Sequence, residues 1–212
     1  MSWFQLDPQS IAKRARAADS PVPSLGASLM RGSIGFTVVS VAGFVPWAVF
    51  GKWLRMQVGE AGMYAVCAVV FLALTAPLLH RLIIGPGSMS RFYKLFGLSF
   101  TAYSVAWIAG WMMLHGHAGS IAGLLTGTML MAFMLVAAFD ALRSVVKVFL
   151  ALFLLNTIGY FVGGLSEAAL IKDHPLAAKL SWGVFYGIGL GAGLGLAFHF
   201  CQARARKLLA GG

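Results

Sequence analysis

The stretch LSWGVFYGIGLGAGLGLAFHF, Leu180–Phe200, holds no Asp, Glu, Lys or Arg and is long enough to cross a bilayer as one helix. A helix rises about 1.5 Å per residue, so roughly 20 apolar residues span a hydrocarbon core of about 30 Å. Gly183, Gly187, Gly191 and Gly195 recur every fourth residue and form one stripe on such a helix; Gly189 and Gly193 form a shorter second one. Stripes without side chains let a neighbouring backbone approach closely, which is how helices associate in lipid. Glycine in a helix interior is less favourable than alanine by about 1 kcal/mol, so this helix is expected to pack tightly. Its expected neighbour is another span of the same chain; a second copy or a different membrane subunit is the alternative.

Five more apolar stretches precede it: Ser33–Phe50, Gly62–Leu79, Leu95–Leu114, Ile121–Ala138 and Val146–Leu165. Of 212 residues, 59% are hydrophobic and only 10% charged, whereas a soluble domain carries about 25% charged residues. A segment crossing lipid must satisfy its own backbone N–H and C=O groups, which makes these stretches helices. The expected fold is therefore all-α, a polytopic membrane bundle of six transmembrane helices over residues 32–202. Residues 1–31 form an N-terminal cytoplasmic or interfacial segment, and residues 203–212 a basic cytoplasmic tail.

The net charge of +10 raises the question of nucleic acid, and its placement answers it. Lys13, Arg14, Arg16, Arg31, Arg81, Arg91, Lys94, Arg143, Lys147, Arg204, Arg206 and Lys207 fall on the side of the termini; only Lys52, Arg55, Lys172 and Lys179 fall on the other. This bias predicts both termini in the cytoplasm and the basic side facing anionic headgroups. The bilayer is thus the expected partner and nucleic acid is not. The compact loops point to a bacterial inner membrane. Trp47, Trp53, Trp107, Trp111 and Trp182 gather near the outer span ends, with Trp3 near the inner surface, as interfacial anchors would.

Asp7 and Pro8 read as the cap and first residue of a short helix reaching about Ala18 and lying on the inner surface; Pro21 and Pro23 end that segment. The apolar region begins too late for a secretory signal. Pro46 and Pro77 are expected to bend their spans. Cys67 and Cys201 lie at depths some 20 Å apart, too far for a disulfide. Two halves of three spans would be related by inversion, but no sequence repeat supports this.

Candidate functional groups are few, because the spans lack charge at mid-depth. Asn156 lies mid-span, with Thr101, Ser104 and Tyr160 as further binding candidates along a transport path for a neutral or weakly polar solute. Asp140 and Arg143, three apart, are placed to form an ion pair at the inner face. His80 and His199, near inner span ends, are weak haem-ligand candidates. His115, His117 and His174, with Glu60, Glu167 and Asp173 on the same side, match no metal motif. No phosphate-cradling, zinc-protease, redox-dithiol or serine-hydrolase motif occurs. No cofactor is predicted, and an enzyme is the less favoured class. The leading expectation is a small-solute permease or channel. The alternative is a non-catalytic accessory or scaffold subunit docked through the glycine stripe, and after that a haem- or metal-binding redox protein.

Overall fold

The computed structural model describes residues 4–211, so the interfacial position expected for Trp3 lies outside the described residues. Among those residues there is no strand. Six helical stretches are long and apolar enough to cross a membrane: Leu25–Glu60, Gly62–Leu82, Ser88–Leu114, Gly116–Ala138, Leu142–Leu170 and Pro175–Cys201. The helices are α1 (Pro8–Ala17), α2 (Leu25–Leu79), α3 (Ser88–Leu114), α4 (Gly116–Ala138), α5 (Val145–Leu170), α6 (Pro175–Cys201) and α7 (Ala203–Ala210).

Helix α2 is two spans joined at Gly59, whose φ of 74° and ψ of 177° suit only glycine. The chain reverses there. Gly35 then meets Leu79, Gly43 the Phe71 ring and Gly51 the Met63 sulfur, the register of an antiparallel hairpin. Pro46 and Pro77 lie inside these arms, and neither is the site of the break. Ser24 caps the first arm, with its hydroxyl accepting from Ala27 N–H at 3.1 Å.

Glycine decides how the arms assemble. On one side of α6, Gly187, Gly191 and Gly195 lie directly on the backbone of the first α2 arm at Thr37, Gly32 and Ser28, and Gly183 rests on the Phe44 ring. On the other side Gly189 and Gly193 meet the α5 backbone near Leu155, Gly159 and Leu152. Both stripes are occupied within the chain, so neither is free to hold a partner subunit. As a result α6 is the most buried span, with 61% of its apolar window covered. A third stripe, Gly119, Gly123 and Gly127 on α4, seats α3 against Trp111, Trp107 and Tyr103.

The half of the bundle nearest the termini is closed by aromatic rings. Phe92, Phe96, Phe100 and Tyr103 stack in sequence along α3 with centroids 5.3, 5.1 and 5.8 Å apart. Phe36 inserts edge-on from α2, 5.4 Å from Phe71 and 6.1 Å from Phe96. Phe198 and Phe139 continue the cluster beside Phe92. Edge-to-face and offset pairs of this kind contribute about 0.5–1.5 kcal/mol each beyond area burial.

Short elements finish that end. Asp7 caps α1 by accepting from Ser10 N–H at 2.9 Å, and the Ser10 side chain holds the Asp7 carboxyl below its usual pKa. The cap is therefore present above the normal carboxylate range and lost as pH falls through the lowered value. Helix α1 packs on α7, where Arg16 donates to Leu208 O. Gln202, buried between them and the bundle, accepts from Ile84 N–H at 2.8 Å and donates to Leu82 O at 2.8 Å and Phe198 O at 2.9 Å. Leucine at this position would leave the Ile84 N–H and Leu82 C=O unpaired and buried, at about 1–3 kcal/mol each. Gln202→Leu is therefore expected to destabilise the bundle by about 3 kcal/mol, read as a clear drop in thermal midpoint in detergent. An unchanged midpoint would show that the 83–87 loop is held by other contacts.

Asp140 pairs with Arg204 at 3.0 Å rather than with Arg143. Helix α4 ends at Ala138 and Asp140 takes a φ of 51°, so the helical three-residue spacing that would face Asp140 toward Arg143 does not exist. Both partners are more than half exposed, and such pairs contribute at most about 1 kcal/mol.

Candidate functional site: an aromatic chamber between the hairpins

Beyond the Phe71–Phe100 stack, 5.6 Å between centroids, the bundle holds a half-open cavity of about 270 Å³. Its walls come from every span except the fourth. Phe44 and Phe71 belong to the two arms of α2; Phe100, Tyr103, Ser104, Trp107 and Ile108 to α3; Tyr160 to α5; and Trp182 and Tyr186 to α6. No charged side chain lines it. A void of about 150 Å³ is enough for benzene, so this chamber has room for a substituted ring.

Local packing aims these rings. The Tyr103 ring lies over Gly127, and the backbone of Trp107 over Gly123, which brings α3 close to α4 and turns its aromatic face to the chamber. Gly163 on α5 makes room for the Trp182 ring, and Trp182 Nε1 donates to Tyr160 O at 3.2 Å. Trp107 and Tyr160 meet edge-on at 6.0 Å, as do Tyr160 and Trp182 at 5.7 Å.

The chamber floor is polar and buried. Asn156 Nδ2 donates to the Tyr103 hydroxyl at 2.9 Å, and the Tyr186 hydroxyl lies beside that of Tyr103. Asn156 Oδ1 and Trp107 Nε1 have no protein partner. Toward the end opposite the termini a second cavity, of about 470 Å³, is bordered by Trp111, His117, Ser120 and Glu167. Tyr160 and Trp182 belong to the walls of both cavities, so the pair stands between a vestibule and an inner chamber. The Tyr160 hydroxyl is 3.2 Å from Ser120 Oγ.

No family model, curated protein or solved structure matches the chain.

Of the four sequence-derived path candidates, Ser104 and Tyr160 line the chamber, and Asn156 lies beneath it through Tyr103. Thr101 is exposed on the outer side of α3 and takes no part. Tyr103 is central to the chamber, and Tyr186, Trp107 and Trp182 join it. The two tryptophans read as interfacial anchors from their depth, whereas the structure uses them as walls. Among the described residues no three His, Cys, Asp or Glu side chains come together as a metal site would require. His80 is engaged with Ser88 Oγ at 2.8 Å, and the cavity beside His80 does not include His199. Cys67 and Cys201 are free thiols.

Proposed function

We propose that the chain is a multi-pass membrane permease for a small, uncharged, weakly polar solute carrying a ring or similar flat apolar face. The observation that carries this reading is the chamber itself: eight aromatic rings with no charge, above a buried Tyr103–Asn156–Tyr186 group. Binding sites of this type combine apolar walls with a few fixed polar groups that set orientation. An ion would lose its hydration here without a counter-charge, at a large desolvation penalty. A neutral solute with one hydrogen-bonding group would exchange water for ring contact and one or two polar contacts.

In this reading the solute enters from the vestibule past Tyr160 and Trp182, which border both cavities, and the Phe36–Phe96–Phe92–Phe198 cluster closes the other side. The distribution of basic residues favours cytoplasmic termini, and in that orientation the vestibule faces outward. Movement of a solute past Tyr160 and Trp182, followed by parting of the phenylalanine cluster, would complete alternating access. The accessory-subunit reading has less support, because the glycine stripes that favoured it are buried inside the chain.

Uptake into proteoliposomes tests the proposal, using a panel of uncharged ring amides such as nicotinamide and thymine with glycerol as the small control. Saturable, protein-dependent uptake of a ring compound is expected, falling about tenfold or more in Trp182→Ala, in line with losing roughly 1.4 kcal/mol of contact. Uptake that is unsaturable, or equal in Trp182→Ala, would remove the chamber from the path.

A further inference from the structure

A third cavity, apart from the chamber and the vestibule, lies at the end that carries the termini. It measures about 380 Å³ and is walled by the Ser20–Pro23 linker, the start of α2, the 80–87 turn and the first residues of α3. Its ionisable lining residues are Arg31, His80 and Arg81, with no carboxylate among them. Asp19, the nearest acid in sequence, is exposed and does not line it.

The imidazole and the turn beside the cavity are held in place, while Arg31 and Arg81 are exposed. His80 Nδ1 is engaged with the buried Ser88 Oγ at 2.8 Å, which fixes the imidazole and leaves Nε2 for a further partner. Arg91 Nη1 donates to the carbonyls of Pro86 and Gly87 at 3.0 and 2.8 Å, so the turn's outward carbonyls are covered by a cation. Gln202 anchors the same turn through Ile84 N–H. Nearby, partial burial and then the like charge of Arg91 lower the pKa of Arg14, against the opposing pull of Asp7. Arg31 and Arg81 themselves make no ion pair among the described residues. The free guanidiniums of Arg31 and Arg81 carry only donors, beside an imidazole whose Nε2 donates when Nδ1 accepts from the Ser88 hydroxyl, and guanidinium forks match phosphate oxygens in bidentate fashion.

We infer that this cavity is a phosphate-recognition site for the headgroup of an anionic lipid, with Arg31 and Arg81 as the charged contacts and His80 as a further donor. A free phosphate would satisfy the same chemistry. The position of the cavity at the basic end of the bundle favours the lipid, because both arginines lie near the terminal-side ends of their spans, at headgroup depth.

The test compares phosphatidylglycerol retention by native mass spectrometry in the full-length wild type, Arg31→Gln/Arg81→Gln, Arg31→Lys/Arg81→Lys and Arg143→Gln/Lys147→Gln. The two glutamine pairs remove equal charge from the same end, so a diffuse surface attraction would weaken both alike. Expected is a loss of about tenfold or more in the pocket pair, partial recovery with lysine, and a loss under about threefold in the control pair. Equal losses in the two glutamine pairs, or no loss in the pocket pair while it remains folded by circular dichroism, would overturn the site. Inorganic phosphate, titrated into the wild type as a competitor, separates the sources: displacement at low millimolar concentration assigns the site to a soluble anion and overturns the lipid assignment, while retention supports it.

Discussion

Gly191→Leu is expected to abolish the folded bundle. A Cβ at this position would collide with the carbonyl oxygen of Gly32, and the reciprocal Cβ at Gly32 would collide with Gly191 O. Backbone stands on both sides, so no side chain can rotate away. Overpacking a well-fitted core typically destabilises by about 1–3 kcal/mol, and separation of α6 from α2 would add lost packing along the whole seam. The loss should exceed 3 kcal/mol, seen as disappearance of the monodisperse species in detergent. Gly97→Leu supplies the contrast, because nothing lies within 4 Å of a Cβ there, and its midpoint should stay close to wild type. A folded Gly191→Leu protein would mean that α6 does not lie against α2 as described.

Asn156→Leu should do the opposite: leave the fold intact and impair the solute. Asn156 is fully buried, and its Oδ1 has no protein partner. Replacing a half-satisfied amide with a side chain of similar volume removes a desolvated acceptor, so stability should change little or rise. The Tyr103 hydroxyl, however, loses the donor that orients it toward the chamber. With one hydrogen bond to the solute misplaced, affinity should fall about tenfold, corresponding to roughly 1.4 kcal/mol. Tyr103→Phe should give a comparable loss, and the double variant little more, because both act through one hydrogen bond. Saturable uptake at wild-type affinity in Asn156→Leu would separate this polar group from transport.

Much of the fold was legible because a bilayer leaves few solutions. Length, hydropathy and the need to satisfy the backbone internally lead to six helices, and a four-residue glycine spacing leads to a close seam. Span edges were less legible: Ser33–Phe50 extends to Leu25–Glu60, because Ser24 caps early and Gly59 alone can turn the chain. The α4 stripe of Gly119, Gly123 and Gly127 has the same four-residue spacing in the sequence.

The site was harder to read, because it depends on the rotation of each helix about its axis. Thr101 and Tyr103 differ by about 200° around α3, so one is exposed and the other buried, yet hydropathy treats them as neighbours. Trp107 and Trp182 have the depth of interfacial anchors, and only the packing of the spans shows them lining the chamber, with Gly163 leaving the space that the Trp182 ring fills. The Asp140 pairing depended on a helix that ends two residues too early for it.

Cysteine labelling at Ser104 tests most directly whether the chamber is reached from one side only. In a chain with Cys67 and Cys201 replaced by alanine, Ser104→Cys would be exposed to a small membrane-impermeant thiol reagent from each side in turn. Modification is expected from the side opposite the termini and not from the terminal side. Ser99→Cys, fully buried below the Tyr103 floor, should resist from both. Labelling of Ser104→Cys from the terminal side, or from neither, would mean that the chamber does not open to the vestibule and that the proposed path is wrong.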